Sequence, residues 1–316
     1  MATIQSATGA IETDDLGFTL MHEHVAVSSP AMRMQYPDWF DRESELEHAV
    51  ARLVEAREAG VRTIVDLTPI DLGRDAAYIR EAAERSGIQI IVATGFYYQN
   101  PFPGTSGPSR PEDLRDLMIR DITEGIGDTG VRANVIKCAT EPEMHEVNER
   151  VLRASAQAAR ATGVPICTHT LPANRTGLDQ ARVFKEEGVD LGRVVIGHSD
   201  DAEDIEYLDE IIQTGAYCGM DRIGLQAPRT SEQRADMIAA LVERGYADRI
   251  TLSHDSCAFI GGIPTALKEQ RMPTWRLTHI IEDVLPMLRE RGVSDDDIEQ
   301  MTVRTPRRIF EQTRGY

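Results

Sequence analysis

Short β-branched runs alternate with longer amphipathic segments from about residue 19 to residue 290. The runs Thr19–Val25, Arg62–Leu67, Ile88–Phe96, Arg132–Ala139, Val164–Thr170, Val194–His198, Ala216–Asp221 and Ile250–Asp255 predict strands. Between them, Glu43–Ala59, Gly73–Arg85, Asp113–Gly125, Val147–Ala161 and Asp204–Thr214 carry helical spacing. Several helical segments run into a glycine, as at Gly60, Gly87, Gly163, Gly188, Gly215 and Gly245, where a helix C-cap belongs. Eight strand–helix units predict an α/β fold, a single (β/α)8 TIM barrel over residues 1–316. A doubly wound open sheet with a second domain is the competing topology, but no Pro/Gly/Ser-rich linker divides the chain. Three segments exceed a minimal barrel. Residues 2–17 read as a short N-terminal β-hairpin, and residues 26–41 and 256–275 as long loops on the C-terminal face. Barrels carry their active sites on that face, so the loops are expected to shape a substrate site.

Composition narrows the partners. The 316 residues include 34 Lys+Arg and 52 Asp+Glu, a net charge of −18, with 41% hydrophobic residues. A surface this acidic repels nucleic-acid phosphates and anionic lipid, so neither is expected as a partner. No apolar run reaches the roughly 18 residues of a membrane helix. The first residues, MATIQSATGAIETDD, lack the basic start and apolar core of a secretory signal. Cys138, Cys167, Cys218 and Cys257 are scattered singly, as expected of reduced thiols in a cytoplasmic protein.

One motif is a decoy. Gly125-Ile-Gly-Asp-Thr-Gly130 matches the dinucleotide pattern, which needs a strand before it and a helix after it. Here the helical segment precedes and the strand follows, so an ordinary turn is expected.

The candidate chemistry lies at the strand ends. His22 and His24 stand two apart in GFTLMHEHV, so in a strand both enter the barrel while Glu23 points away. Two such imidazoles form a compact metal clamp. The fifth strand ends in Cys-Thr-His169-Thr, the sixth in Ile-Gly-His198-Ser-Asp-Asp and the eighth in Leu-Ser-His254-Asp255-Ser. Four of the eight histidines thus converge on one rim with Asp255 alongside. His254 faces away from Asp255, and His48, His145 and His279 lie on helical or loop segments; all four are read as structural. Lys137, in the apolar strand ANVIKCAT, shares the inner face with Val135 and Ala139. A bare ammonium there is disfavoured by desolvation and by neighbouring cations. Either a carboxylate neutralises it, or the neutral amine reacts with CO2 to give a carbamate, an anionic bridge between two metals. With two divalent ions, a carbamate, Asp255 and a hydroxide, a small positive charge remains to stabilise a developing oxyanion.

These residues in this order resemble the amidohydrolase superfamily, and more closely its phosphotriesterase family in the lactonase branch. The resemblance rests on GFTLMHEHV, RTIVDLT, ATGFYY, VIKCAT, GHSDD, GMDRIGL and TPRRIF and covers nearly the whole chain. It implies a buried metal held by His22, His24 and Asp255, a more exposed one held by His169 and His198, and N6-carboxylysine at Lys137 bridging both. Zinc is the default ion, with cobalt, iron or manganese also suited to such ligands. Tyr97 and Arg222 fall where the lactonase branch carries a tyrosine and an arginine, and both are expected to act with Asp255 in catalysis. Cys257 would line the substrate pocket. The loop from Cys257 to Leu267 is unusually apolar for a barrel mouth, so Phe259, Ile260, Ile263 and Leu267 are expected either to wall a channel for an acyl tail or to form a dimer contact or small satellite core. Asp200 and Asp201 are either relay groups or caps of the following helix. Thr305 departs from the asparagine common before the terminal Pro-Arg-Arg.

The resemblance therefore implies a lactonase opening N-acyl-homoserine lactones, a quorum-quenching activity, with weak phosphotriesterase activity and a homodimeric state. Phosphotriester hydrolysis, or hydrolysis of other γ- or δ-lactones, is the alternative. A mononuclear deaminase has no need of Lys137, and a non-catalytic binder would show no turnover.

Overall fold

The computed structural model describes residues 2–97, 110–140, 142–311 and 314–316. The chain opens with β1 (Thr3–Ser6) and β2 (Gly9–Glu12), the expected antiparallel hairpin. Then come β3 (Thr19–Val27), β4 (Thr63–Asp66), β5 (Gln89–Gly95), β6 (Val135–Ala139), β7 (Ile166–His169), β8 (Val194–Ile196), β9 (Tyr217–Met220), β10 (Ile250–Leu252) and β11 (Cys257–Ile260). From β3 to β11 they form one parallel sheet in the order β10-β9-β8-β7-β6-β5-β4-β3-β11. The sheet curls until its ends meet. The Asp255 amide donates to the His22 carbonyl at 3.0 Å, and the His24 amide to the Ser256 carbonyl at 2.9 Å. The fold is an α/β TIM barrel.

The helices are α1 (Pro30–Gln35), α2 (Arg42–Ala59), α3 (Ala76–Ser86), α4 (Pro111–Thr123), α5 (Glu146–Thr162), α6 (Thr176–Glu186), α7 (Ile205–Gln213), α8 (Ser231–Glu243) and α9 (Thr265–Arg271), followed by the short α10 (Leu285–Glu290), α11 (Asp295–Glu299) and α12 (Thr305–Phe310). Local chemistry sets their ends. Asp41, Asp75 and Asp204 accept from the first-turn amides of α2, α3 and α7, and left-handed Gly60, Gly87 and Gly163 close α2, α3 and α5. The glycine-rich turn at 125–130 joins α4 to β6, as its reversed element order predicts.

Alternation along the strands divides the core in two. Ile64, Ile90, Val92 and Ile136 face outward onto the helices. Met21, Val65, Ile91, Val135, Cys167 and Val195 fill the barrel, and Ile4, Leu16 and Phe310 join this interior cluster. The hairpin is fixed beside them, with the Ala7 amide donating to the Ile90 carbonyl at 2.8 Å. With one end of the barrel packed this way, chemistry is left to the opposite rim.

Two loop boundaries differ from expectation. Strand β3 runs on to Val27, and the rest of the 26–41 segment contains α1. Of residues 256–275, the first apolar stretch is β11, paired with β3 at Cys257 to His24 and Ile260 to Val27. The nine residues of β3 outrun the neighbouring barrel strands, and Cys-Ala-Phe-Ile satisfies the edge left free. No helix among the described residues is long and apolar enough to cross a membrane.

Candidate metal centre

Three strands and two turns bring the predicted ligands together. Lys137 shares the interior face of β6 with Val135, and its Nζ lies 2.8 Å from His22 Nε2. On β3 a register shift between Leu20 and Glu23 interrupts simple alternation, so Met21 packs inside the barrel and His22 still reaches its mouth. His24 Nε2 lies 3.1 Å and His22 Nε2 3.4 Å from Asp255 Oδ1. His198 Nε2 lies 2.7 Å from His169 Nδ1 and 3.9 Å from Asp255 Oδ2. His22, His198 and Asp255 offer ligand atoms all within 4.8 Å of one another. His198 and Asp255 hold left-handed backbones, φ 60° and 53°, a conformation that costs a non-glycine residue energy. The strain aims both side chains at one point.

Buried acceptors orient these imidazoles. Asp221 Oδ2 lies 2.7 Å from His22 Nδ1, and Asp221 Oδ1 lies 2.8 Å from His198 Nδ1 while accepting the His198 amide at 2.7 Å. Thr68 Oγ1 sits 2.8 Å from His24 Nδ1. With Nδ1–H of His22 and His198 donating to one carboxylate, the Nε2 lone pairs face the centre. Burial lowers the pKa of His22, with Lys137 adding to the effect, and pushes His198 down to about 3. Burial also lowers Lys137, against the opposing pull of Asp255 and Asp221. Burial alone would raise Asp255, but His198, His22 and His24 outweigh it and hold the carboxyl well below the usual range. The donor set is thus imidazole nitrogens, those of His22 and His198 low in proton affinity, with a carboxylate and an amine whose proton affinity is also lowered. Nitrogen lone pairs crowded this closely are relieved by a cation, and the set fits borderline divalent ions.

An outer polar network supports the rim. Fully buried Arg234 of α8 donates to Asp200 at 2.5 Å and to Asp201 at 2.7 Å. Asp200 Oδ1 accepts the Asp221 amide at 3.1 Å, and Asp201 Oδ2 takes the Arg222 guanidinium at 2.7 Å. Neither acid caps a helix; Asp204 caps α7. Arg222 Nε lies 3.6 Å from Asp255 Oδ2, and the Tyr97 hydroxyl 2.9 Å from His169 Nδ1. Glu23 points away from the centre as expected. Buried, it accepts from the Ser253 hydroxyl and the His254 and Ser256 amides, and lies 2.6 Å from His254 Nδ1.

Such a centre, set on the rim of a barrel closed by an N-terminal hairpin, agrees with a family match over residues 2–310. The chain belongs to the phosphotriesterase family. A Mycobacterium tuberculosis "phosphotriesterase homology protein" is 46% identical over the full length of both chains. An aryldialkylphosphatase of Saccharolobus solfataricus is 38% identical over 95% of this chain and 97% of its own. The solved phosphotriesterase structure from Mycobacterium tuberculosis superposes with a TM-score of 0.95, at 46% identity over 99% of this chain and 100% of that one. This phosphotriesterase-family chain is therefore a hydrolase of a binuclear metal-dependent family.

A cavity of about 390 Å³ opens over the centre, and Tyr97, Arg222, Cys257, Ile260 and Ile263 line it together with His22, His24, Lys137, His169 and Asp255. Phe259, expected there, does not line it. Pairing with β3 alternates the faces of β11, and Phe259 packs instead against the outer core. Leu267, on α9, is also absent from this wall. Tyr98, the second tyrosine of ATGFYY, lies outside the described residues. Sequence reasoning missed Asp221, Thr68, Leu72, Leu225, Met272 and Trp275. For Asp221 a signal existed, since it is an acid at a strand end within GMDRIGL.

Proposed function

We propose that this chain opens the ring of N-acyl-homoserine lactones, a quorum-quenching hydrolysis, with weak activity on phosphotriesters. The observation that carries the reading is the form of the cavity. Polar groups (His22, His24, Lys137, His169, Asp255 and Arg222) line the part over the centre, and Val27, Leu72, Leu225, Ile260, Ile263 and Trp275 supply apolar wall. A compact ring ester with an apolar tail matches both parts.

His22, His24 and Asp255 would hold one ion and His169 and His198 the second, with Lys137 as N6-carboxylysine between them; zinc is the default, and cobalt, iron or manganese also suit these donors. Bound there, two divalent ions would acidify a water and polarise a carbonyl oxygen. Asp255 accepts the proton of the attacking water and returns it to the ring oxygen as the C–O bond breaks, giving a hydroxy acid. Arg222, fixed by Asp201, keeps Asp255 ionised between turnovers. The Tyr97 hydroxyl, beside His169, is placed to donate toward the developing oxyanion. Asp221 holds His22 and His198 in the ligating tautomer throughout. Four buried thiols, unpaired among the described residues, suit a reducing, cytoplasmic compartment.

A second reading, phosphotriester hydrolysis, is favoured by the 38% identical relative named aryldialkylphosphatase. A substrate panel on metal-quantified protein separates the two. Each methylene buried along the cavity is worth roughly 0.8 kcal/mol, so kcat/KM should rise about two- to fourfold per acyl carbon until the wall ends. Lactones should exceed the aryl phosphotriester paraoxon by orders of magnitude. Faster paraoxon turnover overturns the lactonase reading, and a flat chain-length series removes the acyl channel.

A further inference from the structure

Strand β11 separates the metal cavity from a second one. This cavity, about 160 Å³, lies between α2, β11 and α9 and shares Cys257, Ile260, Met272 and Trp275 with the first. Its remaining apolar wall includes Ala258, Phe259 and Leu277. Three cationic side chains line it, and two are already neutralised. Arg52 meets Glu55 at 2.8 Å and Glu269 at 3.3 Å, and Arg276 meets Glu282 at 2.9 Å and Asp283 at 2.6 Å. Lys268 is different. Among the described residues it has no carboxylate partner, in a chain with 52 acids to 34 bases. Its ammonium donates to the Cys257 carbonyl at 2.5 Å and lies 4.6 Å from the Trp275 ring centroid. Three donors with a single protein acceptor leave room for an anion.

We propose that this second cavity binds a small aliphatic monocarboxylate of about four to six carbons, its carboxylate on Lys268 and its chain against Phe259, Leu277 and Trp275. The single unneutralised ammonium sets the ligand charge at one, because Glu55 and Glu269 border the same space and would repel a dianion. The dominant apolar lining selects a hydrocarbon body over a free phosphate. Burial lowers the proton affinity of Lys268, and a carboxylate opposite it reverses that cost. The site does not depend on which ester the metal centre hydrolyses.

The test is the fluorescence of Trp275, isolated from the chain's other tryptophan by Trp39→Phe in metal-loaded protein. Sodium hexanoate should give a saturable change, with butyrate binding several-fold more weakly and 1-hexanol at least about tenfold more weakly. Lys268→Met should weaken hexanoate at least about tenfold. Thr265→Phe, which fills the cavity and leaves Lys268 in place, should do the same. Because Trp275 also borders the metal cavity, hexanoate held by the metals would survive both substitutions. Affinity within twofold of the parent in either variant overturns the proposal, as does the lack of a saturable change.

Discussion

At the scale of single residues, Lys137 concentrates the chemistry of the centre. Its place is set by backbone contact as much as by strand alternation. A Cβ at Gly95 would lie 1.9 Å from the Lys137 carbonyl oxygen, so β5 approaches β6 this closely only at a glycine. Burial lowers the proton affinity of the amine and so favours the neutral form, the one that reacts with CO2. Lys137→Met keeps the apolar volume and removes the nitrogen. Metal content measured by elemental analysis should fall from about two ions per chain to below one, and turnover by on the order of 10³ or more. Propionate should restore part of that turnover by acting as an external bridge, whereas normal turnover in the variant would end the carboxylysine reading. His22, His24, Lys137, His169, His198 and Asp255 were legible because each is an uncommon polar residue at the end of an apolar run. Asp221 has the same form but went unassigned, because its imidazole partners lie 199 and 23 positions away and the pairing exists only in three dimensions.

At the scale of elements, periodicity located the eight barrel strands to within a few residues, since each alternates a helix-facing and an interior residue. β11 was read as loop for a physical reason. Four apolar residues have no strand identity until an edge is offered, and that edge is the overhang of β3. Helix α8 shows the reverse dependence. Its N-terminus follows from the capping pair Thr230 and Gln233, but the role of Arg234 is decided by Asp200 and Asp201, which arrive from the turn after β8. Burial pushes Asp200 up to about 7 despite the opposing charge of Arg234. Arg234→Met leaves Asp200 buried without its counterion and Asp201 with Arg222 alone, and should cost about 3–5 kcal/mol in denaturant unfolding. Arg234→Lys should cost less. A change under about 1 kcal/mol in the Met variant would show that the network contributes little to stability.

At the scale of the whole molecule, Met34, Tyr36 and Trp39 are 79%, 44% and 70% exposed, and the Tyr36 and Trp39 rings stack at 4.7 Å. We propose this patch as the face through which two copies pair, because a net charge of −18 makes like copies repel everywhere except at local apolar contacts. Sedimentation should give a dimer at micromolar concentration, shifted to monomer by Trp39→Glu; a monomeric parent protein would exclude the pairing. The sequence by itself determined the barrel and its hairpin, and it pointed to the rim on which six polar residues of ligand type gather. Those follow from strand alternation, helix caps and the rarity of buried polar side chains, all local properties of the chain. Tertiary structure alone decided that Asp221 clamps two imidazoles, that Arg234 anchors the acids behind Arg222, that Phe259 leaves the substrate wall, and that Lys268 lines a second cavity with no carboxylate partner among the described residues. Each of these depends on side chains brought together by barrel closure, a long-range event that local hydrophobic periodicity does not encode.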